Sequence, residues 1–121
     1  HDTDSKRLPF EQASSGVIGF ESLLPLTLKL INDKKLSNKK LVELLSLHPS
    51  KILKLNSGTL KKKRPADIVL IDINKKVNLS SSLIKSKSNN FPYENISGQG
   101  KIMLTIVDGK IVFNDRSFNI K

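Results

Sequence analysis

Near its start the chain reads Ser5-Lys6-Arg7-Leu8-Pro9-Phe10 and, shortly afterwards, Gly16-Val17-Ile18-Gly19. The first string contains a basic pair, Lys6-Arg7, and the second has two glycines at a spacing typical of a turn. An apolar run follows directly, with Ser22 at the position of a helix N-cap. The pattern therefore predicts an irregular loop that turns at its glycines and leads into a helix.

Acidic residues flank the basic pair of this loop. Asp2, Asp4 and Glu11 could suggest the paired carboxylates of an acid–base site. They lie in a polar segment beside Lys6 and Arg7, so we expect them to form ion pairs with these two side chains.

The segment between residues 22 and 55 has helical periodicity. Apolar side chains cover almost all sides of a first helix, which we expect to be capped by Ser22 and to carry Pro25 in its first turn, where a missing amide hydrogen costs little. A helix so apolar is expected to be buried on most of its sides. Ser37 is the predicted N-cap of a second helix, and Pro49 the predicted first position of a short third one.

The pattern changes to strands near Gly58. Ala66 to Ile73 is rich in branched side chains and bounded by turn residues, which predicts a buried strand. Residues 101–107 and 110–113 flank Asp108-Gly109, a pair that favours a two-residue type I′ hairpin turn.

Two short motifs receive structural interpretations. His48 has no second ligand at metal spacing, and we expect a turn or cap residue there. Gly98-Gln99-Gly100 lacks the following helix of a phosphate-binding loop, and is therefore interpreted as a turn.

The net charge of +10 raises nucleic acid as a partner. The lysines are spread over the whole chain, with one dense run at Lys61-Lys62-Lys63-Arg64, and aromatic residues are few. A nucleic-acid reader usually interleaves arginine and aromatic side chains on one element. We therefore do not expect nucleic-acid binding, and interpret the lysines as solvated surface.

Composition bounds the class and location. With 37% hydrophobic and 26% charged residues, the chain has the composition of a globular protein rather than a disordered one. Its apolar runs are too short to span a bilayer, and its first residues do not form a targeting signal. The absence of cysteine excludes disulfides and thiolate zinc sites. It fits a reducing compartment, so we expect no membrane partner and a cytoplasmic location.

Several strings are similar to motifs of the dihydroorotases, a branch of the amidohydrolase superfamily. They are Ser5 to Phe10, Gly16 to Gly19, Leu45 to Leu55, Ser86 to Tyr93, and Gly98 to Phe113. In that family an Asp-His-Ala-Pro-His string ends the last barrel strand and precedes the loop, and on this match His1 is its final histidine. The resemblance favours dihydroorotase over hydantoinase or allantoinase.

The resemblance implies an α+β fragment. Residues 1–56 would be the end of a (β/α)8 catalytic barrel, namely its active-site loop and terminal helices. Residues 57–121 would be the C-terminal part of a small composite β-sandwich. The N-terminal part of the same enzyme would supply the rest. Half a sandwich has open strand edges, so the β part is expected to need partner strands.

The implied activity is the zinc-dependent interconversion of N-carbamoyl-L-aspartate and (S)-dihydroorotate in pyrimidine synthesis. Zinc activates the attacking water and an aspartate moves the proton. That aspartate and the metal ligands would all lie before His1, so no catalytic or metal residue is assigned here, and the chain alone is expected to be inactive. The implied substrate contacts are His1, for the carboxylate, and the backbone of Ser15 and Gly16, where glycine permits close approach.

Alternative functions remain open. A dihydroorotase-like subunit without catalysis could scaffold aspartate carbamoyltransferase, and a hydantoinase- or allantoinase-type enzyme would share the motifs in part. A basic interaction module is the third class, which the scattered lysines argue against. The implied partners are the small-molecule substrate, the N-terminal part of the enzyme, and a second copy or aspartate carbamoyltransferase.

Overall fold

The computed structural model describes residues 4–115, which form helices followed by a three-stranded antiparallel sheet. The helices are α1 at Phe20–Asn32, α2 at Asn38–Val42 and α3 at His48–Ile52, with short 3-10 turns at Asp4–Lys6 and Ser81–Leu83. The strands are β1 at Ile68–Asn78, β2 at Ser97–Val107 and β3 at Lys110–Asn114, in the order β1-β2-β3. This succession of helices and strands agrees with the predicted α+β class.

Helix α1 begins before its predicted cap. Gly19 is the N-cap residue and makes no side-chain capping bond, while the Ser22 hydroxyl donates to the Gly19 carbonyl at 3.2 Å. Pro25 therefore lies inside the helix instead of in its first turn. The prediction of Ser22 as the cap was wrong because the loop before α1 is held by a distant segment: the Ile18 amide donates to the carbonyl of Asn90 at 3.0 Å.

One face of α1 packs on β2, where Pro25 and Leu28 are buried. A Cβ at Gly98 would lie 2.6 Å from Pro25 Cβ, and a Cβ at Gly100 would overlap Leu28 Cδ1. The turn predicted at Gly98-Gln99-Gly100 was therefore wrong. These glycines lie within β2, where missing side chains let the helix approach the strand.

The other sides of α1 are open within residues 4–115. Phe20, Leu23 and Leu30 are 93%, 49% and 43% exposed. The expectation of a helix buried on most sides is thus not met, because the sheet covers only one face. None of the helices in the described part of the chain combines the length and apolar character of a membrane span.

The second and third helices form one continuous run. A π-helical segment, Glu43–Leu47, joins α2 to α3, and the residues at both junctions keep right-handed helical dihedral angles. Ser37 caps the run as predicted, since its hydroxyl accepts a hydrogen bond from the Lys40 amide at 3.1 Å. Pro49 is the second residue of α3 and not the first as predicted, because the chain is already helical before it.

Strand β1 is longer and more exposed than predicted. It continues to Asn78, beyond the turn residues expected to end it, and its register shifts between Asp72 and Lys76. Gln99 Nε2 stabilises this irregularity by donating to the Ile73 carbonyl at 2.7 Å. All β1 residues are exposed or half-buried, so the prediction of a buried strand was wrong. The physical reason is that β1 is an edge strand, whereas α1 packs on β2.

The predicted hairpin between β2 and β3 is confirmed. Asp108 and Gly109 have φ angles of 48° and 75°, and a type I′ turn requires positive values at both positions. The Asp108 amide donates to Asp67 Oδ1 at 2.8 Å, and the Gly109 amide donates to the Ala66 carbonyl at 3.1 Å. The turn is thereby tied to the residues that precede β1.

Candidate ligand-binding cleft

An open cleft of about 850 Å³ separates the glycine loop from the segment that follows β1. The loop at residues 16–19 and the first turn of α1 line one side, together with Lys6. Lys85, Ser86, Ser88 and Asn90 line the other. The cleft therefore joins two of the strings identified in the sequence, although they are far apart along the chain.

The Gly16 carbonyl is the central polar group of this cleft. It accepts hydrogen bonds from Lys6 Nζ at 2.8 Å and from Asn90 Nδ2 at 2.7 Å. Lys6 Nζ also donates to the carbonyl of Ser14. Gly16 has a φ of +103°, a conformation that side-chain-bearing residues rarely adopt, while the space around a Cβ there is empty. Glycine is required at this position by the backbone and not by crowding.

A second hydrogen bond joins the two sides of the cleft near the start of α1. The Lys85 amide donates to Glu21 Oε1 at 3.0 Å. Glu21 Oε2 is buried and has no hydrogen-bond partner within residues 4–115. A carboxylate in the first turn of a helix interacts favourably with the helix dipole, which offsets part of its desolvation. Glu21 thus connects α1 to the segment after β1.

The three predicted substrate contacts have different outcomes. His1 lies outside the described residues, so its role stays a prediction. Gly16 lines the cleft, and Ser15 is exposed beside it. Within residues 4–115 the amide and the carbonyl of Ser15 and the amide of Gly16 have no hydrogen-bond partner, so donors and an acceptor are available to a ligand.

The ion pairs expected for the acidic residues of the first loop are observed in part. Asp4 and Arg7 form the expected ion pair at 3.7 Å, but both side chains are highly exposed, so it contributes little stability. Glu11 forms no ion pair within the described residues, and Asp2 lies outside them. Lys6 binds the loop carbonyls described above.

The described residues do not fit a metal centre. Across residues 4–115, no three His, Cys, Asp or Glu side chains come together as a group that could hold a metal ion. His48 is half-buried as the first residue of α3. The zinc implied by the family resemblance therefore has no site within this part of the chain.

Lys6, Asn90 and Glu21 are the cleft residues that sequence reasoning missed. Asn90 belongs to one quoted string and Lys6 to another, but nothing in either string indicates that they share an acceptor. Asn90 and Gly16 are 74 residues apart, and a single sequence carries no signal for a contact over that separation.

The sequence matches the Amidohydrolase family over residues 3–112. It is 40% identical over 116 residues to a dihydroorotase from Trichlorobacter lovleyi, an alignment that covers 96% of this chain and 27% of that protein. It is 42% identical over 112 residues to a dihydroorotase from Geotalea daltonii, covering 93% of this chain and 26% of that protein. The chain thus spans about a quarter of the length of these curated relatives.

Solved structures share the fold. A D-hydantoinase superimposes with a TM-score of 0.83 at 23% identity, over 94% of this chain and 25% of that one. The L-hydantoinase (dihydropyrimidinase) from Arthrobacter aurescens superimposes with a TM-score of 0.78 at 28% identity, over 86% of this chain and 24% of that one. The arrangement of helices and sheet described above therefore recurs within hydantoinases.

Proposed function

Because this chain belongs to the amidohydrolase family, we propose that it is the C-terminal part of a dihydroorotase, which interconverts N-carbamoyl-L-aspartate and (S)-dihydroorotate in pyrimidine synthesis. The observation that carries the proposal is an identity of 40% to a curated dihydroorotase along 96% of the chain. Zinc, a cytoplasmic location, and partnership with a second copy or with aspartate carbamoyltransferase follow from this assignment, and they are proposals with it.

The architecture of the whole enzyme is part of the proposal. Residues 1–56 would complete a catalytic barrel, and residues 57–121 would form half of a composite β-sandwich. Two features support this division: β1 is an exposed edge strand, and apolar side chains of α1 face away from the sheet. Both surfaces would be covered by the part of the enzyme that corresponds to the remaining length of the relatives.

This chain contributes substrate binding to the proposed reaction. A cyclic amide presents an N–H donor beside a carbonyl acceptor. The Ser15 carbonyl and the Ser15 and Gly16 amides, which have no partner within residues 4–115, offer the matching acceptor and donors. His1 would add a contact to the substrate carboxylate. Zinc and the catalytic aspartate are assigned to residues outside this chain.

A hydantoinase-type enzyme is the second candidate. It is favoured by the structural likeness to the Arthrobacter aurescens L-hydantoinase at 28% identity. Both candidates are cyclic amide hydrolases, and they differ in whether the ring carries a carboxylate. The higher identity to dihydroorotases supports dihydroorotase as the first candidate.

A comparison of substrates distinguishes the two candidates. A longer protein that contains this sequence, purified with zinc, would be assayed with dihydroorotate, dihydrouracil, hydantoin and allantoin, and each ring-opened product would be quantified by mass spectrometry. We expect kcat/KM for dihydroorotate to exceed the others by about 100-fold or more, since buried groups that pair with a substrate discriminate strongly against analogues that lack the partner. A preference for hydantoin or dihydrouracil would refute the dihydroorotase assignment. Turnover of none of them, with binding to aspartate carbamoyltransferase, would identify the scaffolding subunit instead.

A further inference from the structure

In the loop between Ser14 and Ile18, every second residue (Ser14, Gly16 and Ile18) forms backbone hydrogen bonds with residues outside the loop. The Ser14 amide donates to the Ser5 carbonyl at 3.0 Å, and the Ser14 carbonyl accepts from Lys6 Nζ. The Ile18 amide donates to the Asn90 carbonyl at 3.0 Å. The loop is therefore anchored at both of its ends.

The middle of the loop is fixed at one atom, the Gly16 carbonyl oxygen. Lys6 Nζ and Asn90 Nδ2 both donate to it, so both acceptor positions of the oxygen are used. A carbonyl bound from two directions cannot rotate without breaking one of the bonds. The orientation of the peptide between Gly16 and Val17 is thereby set.

The two donors come from different parts of the molecule. Lys6 lies before the loop and binds the carbonyls on either side of Ser15 with a single ammonium group, which makes both bonds charge-assisted. Asn90 lies after β1 and makes two contacts, one through its side-chain amide and one through its backbone carbonyl. A two-point contact fixes both the position and the orientation of the loop relative to that segment.

These bonds leave a defined set of groups free. Within residues 4–115 the amide and carbonyl of Ser15 and the amide of Gly16 have no partner, and they lie between the anchored groups. We propose that Lys6 and Asn90 are positioning residues, which bind the Gly16 carbonyl so that the peptide groups at Ser15 and Gly16 are held ready for a cyclic amide ligand. The ligand class rests on the proposed function, whereas the anchoring of the loop does not.

Amide hydrogen exchange tests the anchoring without any assay of activity. In the longer protein containing this sequence, Asn90→Ala is compared with Asn89→Ala, an adjacent exposed asparagine that does not line the cleft. Lys6→Met, which keeps the aliphatic stem, is compared with Lys61→Met. We expect the exchange rates of the Ser14 and Ile18 amides to rise about tenfold in Asn90→Ala and Lys6→Met, because each variant loses one or more hydrogen bonds to the loop. The exchange rates should stay unchanged in the two controls.

Kinetics then test the positioning role. We expect Asn90→Ala and Lys6→Met to raise KM for dihydroorotate by about tenfold, with a smaller effect on kcat and an unchanged Tm. Lys6→Arg should recover part of the loss because it restores charged donors. Unchanged exchange at Ser14 and Ile18 in both test variants would overturn the proposal, as would an equal rise in the Asn89→Ala control. A wild-type protein that ignores dihydroorotate would refute the proposed function, while the exchange data would still decide whether the loop is anchored as described. Should Asn90→Ala fail to fold, Lys6→Met decides the outcome alone.

Discussion

Gly98 and Gly100 determine how closely β2 approaches α1. A side chain at Gly98 would cause steric crowding, and one at Gly100 would cause both crowding and backbone strain. An added Cβ at Gly98 meets Pro25 at 2.6 Å in an ordinary backbone conformation. Gly100 combines a similar clash, with Leu28, and a φ of +97°. Gly109 has a φ of +75° and nothing within 4 Å of a Cβ. The three positions therefore separate crowding from backbone strain.

We expect alanine at these positions to destabilise the protein unequally. Gly98→Ala should lower the free energy of unfolding by about 1–3 kcal/mol through overpacking, and Gly109→Ala by about 1–2 kcal/mol through the left-handed backbone. Gly100→Ala should cost roughly the sum, because both effects act there. Denaturant titration of the three variants provides the measurement, and a cost at Gly100 no larger than that at Gly109 would contradict the close packing of α1 on β2.

Gly16 is required by its backbone conformation, and Gly19 in the same loop is not. Gly16→Ala should cost about 1–3 kcal/mol of strain or force the loop out of its geometry, with a fall in kcat/KM for dihydroorotate. Gly19→Ala is the matched control, since Gly19 has a negative φ and open space around a Cβ. Unfolding titrations and steady-state kinetics on the two variants measure the difference. Equal effects at both positions would count against a conformational requirement at Gly16.

At the scale of the element, Ser37 shows the value of a single cap. Ser37→Ala should lower the free energy of unfolding by about 1 kcal/mol, because the Lys40 amide loses its acceptor, whereas Ser37→Gly should cost only a few tenths. Chemical denaturation of both variants tests this order. A larger loss for glycine than for alanine would show that the hydroxyl contact is not the source of stability at this helix end.

Elements specified by local chemistry were predicted correctly from the sequence. The Ser37 cap and the Asp108-Gly109 turn depend on side chains and φ angles within a few residues, so the sequence alone contains the necessary information. The start of α1 and the strand character of Gly98 to Gly100 depend on contacts with distant segments. The length of β1 depends on its pairing with β2, including the register shift at residues 72–76. No local sequence pattern predicts this length.

The same distinction holds for the cleft. The strings that carry the family resemblance were identified from the sequence, and membership of the amidohydrolase family is confirmed by the match over residues 3–112. Gly16, predicted from that resemblance as a substrate contact, lines the cleft, and its contact with substrate stays a prediction. Lys6 and Asn90 as joint donors to its carbonyl could not be predicted, because that contact exists only once the two strings meet in the fold.

At the scale of the whole molecule, the exposed surface is large for a folded monomer of this mass. The chain exposes 9722 Å², whereas a folded monomer of its mass exposes about 6,500 Å². Many large apolar side chains are exposed. On β1 the consecutive residues Ile68, Val69 and Leu70 are 37%, 50% and 41% exposed, and they pair with β2 in regular register. Because neighbouring positions on a strand point to opposite faces, both faces of the sheet show uncovered side chains.

A protein of this sequence alone should behave accordingly. We expect it to bind a hydrophobic dye such as ANS, to associate with itself in sedimentation experiments, and to show no turnover of dihydroorotate with or without added zinc. A longer protein containing the sequence is the control, and it should bind little dye. A 13.5 kDa monomer without dye binding, or one that hydrolyses dihydroorotate, would contradict the proposal that these surfaces and the catalytic groups are completed elsewhere.

The close approach of Gly100 and Leu28 couples the effects of substitutions at these two positions. A change that enlarges one member is offset in part when the other becomes smaller, so Leu28→Ala should cost less in the Gly100→Ala background than in the wild type. Leu28 is 5% exposed, so its truncation alone is harmful, yet the double variant should be more stable than the sum of the two single losses by about 1–2 kcal/mol. Residues 28 and 100 should therefore vary together in any selection for stable variants. A substitution at residue 28 would relieve the steric clash of Gly100→Ala, but it would not relieve the backbone strain at position 100.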